Sequence, residues 1–306
     1  MKYTQKPFEF YEPLSQSSRS GFHTYRFTDL VHLRDALENT DLLSSGDYVF
    51  RGQRNAQWRL ESSLSRRLRN VPLLSKSDIR LRHFETLLEY CFVDGRVTET
   101  TVWRARAWMK QRLELRDEPG PDGTGHIPDG VQDVVDVWSV AQHHNAPTPL
   151  LDWSQSIFTA AFFAYYNNSE RVDAGQCAIF AINRTLVKEL SKIQVKLESD
   201  GMRGFYFAAA SGKYNPRIVA QRGLFTFSRD DIPVERWVTS SAERVEGWRE
   251  LPLLLKFILP TGHAAASTSL EFLATYSIDL SQMFPDFDGR IRQTVFNLEK
   301  DIQHEI

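Results

Sequence analysis

Three stretches of the chain carry residue types that packing alone does not call for. The first is Phe50-Arg51-Gly52-Gln53-Arg54, running on to Trp58-Arg59-Leu60. Its charged Arg51 follows an apolar, strand-like run, and a buried unpaired guanidinium is costly, so Arg51 needs a partner. One reading is an internal salt bridge to an aspartate. The other is a bidentate grip on a phosphate, carboxylate or ribose-bearing ligand. Gly52 would permit a close backbone approach or a positive φ.

The second stretch runs from Trp138 to Trp153 and contains Gln142-His143-His144-Asn145-Ala146-Pro147-Thr148-Pro149-Leu150-Leu151-Asp152. Adjacent histidines on a helix point about 100° apart, so His143 and His144 do not jointly ligate one metal. Either could serve a cleft as acid, base or donor, or could complement a helix C-terminus. Asp152 is expected near Arg51 as its partner, although Asp152-Trp153-Ser154-Gln155 also fits a helix N-cap with Gln155 at N3. The third stretch is Asn215-Pro216-Arg217-Ile218-Val219-Ala220-Gln221-Arg222-Gly223-Leu224-Phe225. There Gln221 could bond a ligand edge, or simply pair with backbone at the start of a strand. Asp286 and Asp288 with His143 are the groups a metal-dependent phosphoesterase would draw on, but a Pro-Asp-x-Asp-Gly turn is the better reading.

The elements that must position these groups follow from periodicity. Leu30, Leu33 and Leu37 predict a helix capped by Thr28. Tyr48 to Gly52 reads as a short strand, and Ser62 to Arg69 as a basic helical turn. Lys76 to Gly95, Val102 to Leu115 and Val131 to Asn145 read as helices. Ile157 to Tyr166 is apolar nearly all round and is expected to be a central buried helix. Gln176 to Asn183, Gly223 to Ser228 and Leu251 to Leu259 read as strands; Leu186 to Leu197 and Ser267 to Tyr276 read as helices. Gly120, Gly123, Gly125 and Gly130 among Pro119, Pro121 and Pro128 predict a mobile loop at about 117–130, with no GK[ST] to make it a P-loop. The sum is an α+β single domain, a few short and mostly mixed strands among many helices. It spans 26–306 after a lead-in segment at 1–25.

Composition narrows the classes. The 306 residues carry a formal net charge of -2, with 37 Lys and Arg against 39 Asp and Glu. That balance predicts no strong global pull toward nucleic acid or an anionic membrane, but it leaves room for a local basic patch. Arg51, Arg54, Arg59, Arg66, Arg67 and Arg69 cluster around the first motif. Cys91 and Cys177 are far apart and form no CxxC pair, so two reduced buried thiols are expected and no metal. No apolar run reaches the ~18 residues of a membrane span, and the N-terminus lacks a signal-peptide core, so the expected compartment is cytoplasmic.

Together the motifs resemble the FRG domain family, named for a Phe/Tyr-Arg-Gly motif. The resemblance rests on Phe50-Arg51-Gly52-Gln53, then Ala141-Gln142-His143-His144 with Pro147-Thr148-Pro149-Leu150-Leu151-Asp152-Trp153. It continues through Arg217-Ile218, Ala220-Gln221, Gly223 and Phe225 to Met283-Phe284-Pro285-Asp286-Phe287-Asp288-Gly289. Two departures stand out: Asn145-Ala146 where Gly-Leu or Gly-Val is usual, and Pro149 where Arg is usual. The family is mostly bacterial and phage-related. The resemblance implies a toxin or anti-phage defence effector, with an antitoxin or other partner protein in view and oligomeric state left open.

An Arg on an early strand followed by Gly also resembles the ADP-ribosyltransferase fold. That resemblance implies NAD as substrate and a nucleic acid or protein as acceptor. Arg51 would grip the NAD phosphates, while His143 or His144 and Gln53 would position ribose or nicotinamide. Gln221 and Phe225 would complete the nucleotide site, Asp152 would join Arg51 and the histidines among the catalytic residues, and Glu271 is the candidate carboxylate to face the developing positive charge. The alternative is a non-catalytic module in which Arg51, Asp152 and Gln221 are mutual structural partners. Binding would then fall to the basic segment Arg66, Arg67 and Arg69 or to exposed aromatics such as Trp58.

Overall fold

A computed structural model describes residues 15–38, 40, 45–67, 135, 138–139, 141–142, 145–166, 175–197, 205–209, 216–228, 232–285, 291 and 293–294. One sheet organises them. Its eight strands are β1 (Ser15–Arg19), β2 (Phe22–Arg26), β3 (Tyr48–Gln53), β4 (Leu151–Ser154), β5 (Gly175–Asn183), β6 (Phe205–Ala208), β7 (Gly223–Ser228) and β8 (Leu254–Thr261). Their order is β1-β2-β8-β5-β3-β4-β7-β6. Only the β2–β8 pair is parallel, so the sheet is mixed and the α+β class holds.

The described helices are α1 (Leu30–Glu38), α2 (Ser63–Arg67), α3 (Ile157–Tyr165), α4 (Arg184–Leu197), α5 (Pro216–Ala220), α6 (Val234–Arg244), α7 (His263–Ala274) and α8 (Leu280–Met283). They cover both faces of the sheet, because the central strands are apolar on both sides. Cys177 to Ile182 of β5 are all fully buried. Cys177, Ile179 and Ala181 pack with α1, α3 and α7; Ala178, Phe180 and Ile182 pack with α4 and α6. Burial pushes the Cys177 thiol up to about 12, so it is an inert core residue. Cys91 lies outside the described residues.

The same alternation assigns the residues of β3. Tyr48 and Phe50 face the α3 side, and Gly52 follows them by the period of two. Val49 faces the α4 and α6 side, with Arg51 and Gln53 in step. Gly52 is needed for close approach, and its φ is not positive. A Cβ there would lie 1.8 Å from the Ala160 carbonyl oxygen and 2.7 Å from the Ala164 nitrogen. Small residues Ala160, Ala161 and Ala164 bring α3 down onto the strand at this point.

Several expectations change. Residues 15–25, expected within the lead-in, belong to a hairpin, Ser15 to Arg26, whose second strand pairs with β8. Its turn is Ser20-Gly21, both at positive φ (36° and 78°), which suits the twist of a two-residue hairpin. Asp29, not Thr28, caps α1: its Oδ1 accepts the His32 N–H at 2.8 Å. Asp152 is not a helix cap. Leu151–Ser154 pairs with β7 at four positions, and the cap of α3 is Ser156, which accepts the Thr159 N–H at 3.3 Å. The expected helices at Lys76 to Gly95 and Val102 to Leu115, and the loop at about 117–130, lie outside the described residues. No helix among the described residues is long and apolar enough to cross a membrane.

Candidate functional site

β3 and β4 share a single ladder position, Phe50 opposite Ser154. Beyond it, residues of both strands line a cavity of about 950 Å³, within the range of small-molecule sites. Arg51 crosses at its wall. Its Nη1 donates to the Asp152 backbone oxygen at 2.8 Å and to Asp152 Oδ2 at 3.3 Å. Asp152 Oδ1 accepts from Gln142 Nε2 at 2.6 Å, and Gln142 Oε1 accepts from the Thr148 hydroxyl. The carboxylate is therefore fixed from two sides. The Arg51 side chain is 18% exposed and Asp152 57%. Arg51 Nε is buried with no hydrogen-bond partner among the described residues. The fork is thus only partly used by the protein.

Gln53 lies deeper on the same face. Its Nε2 donates to the Arg59 backbone oxygen at 3.2 Å, while its Oε1 is buried without a partner. Gln221, at the end of α5, keeps the backbone role weighed for it. Its Nε2 donates to the Met283 oxygen at 3.0 Å, and its own carbonyl accepts from Ser154 Oγ at 2.7 Å. Phe225 sits opposite Asp152 in the β4–β7 ladder. Arg51, Gln53, Asp152, Gln221 and Phe225 all line the one cavity.

Not every expected residue converges there. Glu271 lies exposed on α7 and is not among the described lining residues. The helix buries Ala266, Ser269 and Leu273, and the residue two after Ser269 points about 200° round, toward solvent. His143 and His144 lie outside the described residues, as do Asp286 and Asp288. No group of three or more metal-ligating side chains occurs among the described residues.

Further charged residues line the cavity, Arg54, Arg59 and Arg217 from the three motif stretches and Arg66 and Glu61 from outside them. Arg54, Arg59, Arg66 and Arg217 join Arg51, against the carboxylates of Asp152 and Glu61. Five guanidiniums against two carboxylates make an electropositive wall among the described residues. Glu61 is a buried carboxylate on the lining, 3.9 Å from Arg59 Nη1. One of the two departures, Asn145, adopts φ 63°, the left-handed conformation that Gly and Asn tolerate best at a helix C-terminus. Its N–H donates to the Gln142 oxygen at 2.9 Å.

Two partly buried ionisable groups hold the backbone of the segment that carries Arg54, Arg59 and Glu61. Glu235, on α6, accepts the Leu60 N–H at 2.8 Å, and burial pushes its carboxyl above the ordinary value of 4.5. Lys256, on β8, donates to the Ala56 oxygen at 2.6 Å, and burial lowers its pKa. Because Glu235 holds its proton more tightly when folded, its contribution to stability falls as pH rises from about 4.5 through the raised folded value. Glu235→Gln is expected to flatten that part of the pH profile of thermal stability. Melting curves across this window check it, and parallel wild-type and variant profiles would contradict it.

The fold and site define an α+β domain with an arginine-rich cavity opening between two strands of a mixed sheet. The family model described as the FRG domain matches residues 46–173, so an FRG domain is present over that stretch. The match contains β3, β4, α3 and both ends of the Arg51–Asp152 bridge. No curated protein and no solved structure matches the chain.

Proposed function

We propose that the cavity binds a phosphate-bearing nucleotide, with NAD as the substrate, and that the domain transfers ADP-ribose from it to a nucleic acid or protein. The observation that supports this most is the Arg51–Asp152 bridge on the wall of an open cavity with five arginines. Guanidiniums held in place by carboxylate and backbone suit bidentate phosphate recognition. The 950 Å³ volume has room for a dinucleotide.

In the transfer, the bond between the ribosyl C1′ and the nicotinamide nitrogen breaks, and its electron pair leaves with nicotinamide. A new bond forms from C1′ to an acceptor nitrogen or oxygen, whose proton passes to solvent. Asp152, half-exposed and fixed by Arg51 and Gln142, would face the ribosyl cation in this reading. Arg51 holds the phosphates. The biological setting we propose, a toxin or anti-phage effector, follows from the family resemblance.

Asp152→Asn separates the two roles, because Arg51 keeps its 2.8 Å bond to the residue-152 backbone oxygen. The variant is expected to bind NAD but release nicotinamide about 10²–10³ times more slowly. Chromatographic measurement of nicotinamide release tests this, and a variant as active as the wild type would overturn the role of Asp152.

A further inference from the structure

The turn after β3 carries a feature that binding a dinucleotide does not require. Trp58 is 46% exposed on the lining of the cavity, an unusual place for the largest aromatic side chain. The turn beneath it is pinned. Ala56 N–H donates to the Gln176 oxygen at 2.8 Å, and Lys256 Nζ donates to the Ala56 oxygen at 2.6 Å. Gln57 N–H donates to Asn55 Oδ1 at 2.8 Å, and Trp58 N–H donates to the Asn55 oxygen at 3.1 Å. The Arg54 guanidinium lies over the indole, 5.9 Å from the ring centroid. The neighbouring Arg59 side chain is 74% exposed.

A half-exposed indole with one guanidinium over it and a second, exposed arginine next in sequence matches a platform for unpaired bases. Base–aromatic stacking is tolerant of sequence, and guanidiniums beside it take the phosphates. A duplex offers no free base face to such a ring, and an acidic peptide would use the arginines but not the indole. We infer that the rim Arg54–Trp58–Arg59 binds single-stranded nucleic acid, stacking one base on Trp58 beside the cavity. This names the acceptor class within the function proposed above and rests on that reading for its chemistry, but the binding itself can be measured without NAD.

The test is fluorescence anisotropy of a short fluorescein-labelled single strand, and of the same strand annealed to its complement, with the full chain. Wild-type protein is expected to bind the single strand more tightly than the duplex, with affinity falling as salt rises. Trp58→Ala is expected to weaken single-strand binding about 10-fold, and Trp58→Phe to restore most of it. Melting curves confirm that both variants fold. Equal binding by Trp58→Ala and wild type, equal affinity for duplex, or no binding of the strand would each overturn the inference. If the strand binds as described while wild-type protein shows no NAD binding in calorimetry, the platform stands and the NAD reading falls.

Discussion

Gly52→Ala is expected to be strongly destabilising, lowering the melting temperature by roughly 10 °C or more. The added Cβ would sit 1.8 Å from the Ala160 carbonyl oxygen, and the atoms it meets are backbone, which no rotamer change can move aside. Either α3 lifts from the sheet or β3 bends. α3 carries Ala160, Ala161 and Phe162 into the core, all nearly fully buried, so lifting it opens the main packing interface on that face. Overpacking of this kind costs about 1–3 kcal/mol when side chains can adjust, and more when they cannot. The displacement also falls between Arg51 and Gln53, so the cavity wall should deform with the loss of stability. A variant that melts with the wild type would show that the helix does not pack on β3 as described.

Arg51→Ala is expected to do the reverse: fold normally and lose ligand binding. Its partner Asp152 is 57% exposed and keeps the 2.6 Å bond from Gln142, so removing the guanidinium leaves no buried unpaired charge. Partly exposed ion pairs contribute about 0–1 kcal/mol, a small shift in melting temperature. Binding should weaken far more, because the lost group supplies a charge-assisted fork to phosphate. Arg51→Lys should not restore it, since an ammonium keeps the charge but not the paired donors. If Arg51→Ala instead melts many degrees lower, the residue is a structural strut, as in the non-catalytic module.

Much of the site is legible in the residues. A charged Arg51 in an apolar strand demands a partner, and Asp152 supplies it. Alternation along Tyr48–Gln53 and Gly223–Ser228 identifies both strands, and the apolar run from Ile157 identifies the buried helix. Asp152 itself was open to two readings, because short polar residues serve both turns and strands, and only the pairing of Leu151–Ser154 with β7 decides between them. The Ser15–Arg26 hairpin has little apolar alternation; its one local signal is the Ser20-Gly21 turn. Glu271 shows the limit of motif reasoning. A carboxylate's chemistry gives no direction, and the direction is set by which face of α7 is buried. Glu61 reaches the cavity through the tertiary fold, which no local spacing reports.

Calorimetric titration of NAD into wild-type protein and Arg51→Ala tests the nucleotide cavity most directly. Saturable binding by the wild type, lost in Arg51→Ala while the two proteins melt at closely similar temperatures, is the expected result. No binding by the wild type, or equal affinity in both proteins, would contradict it.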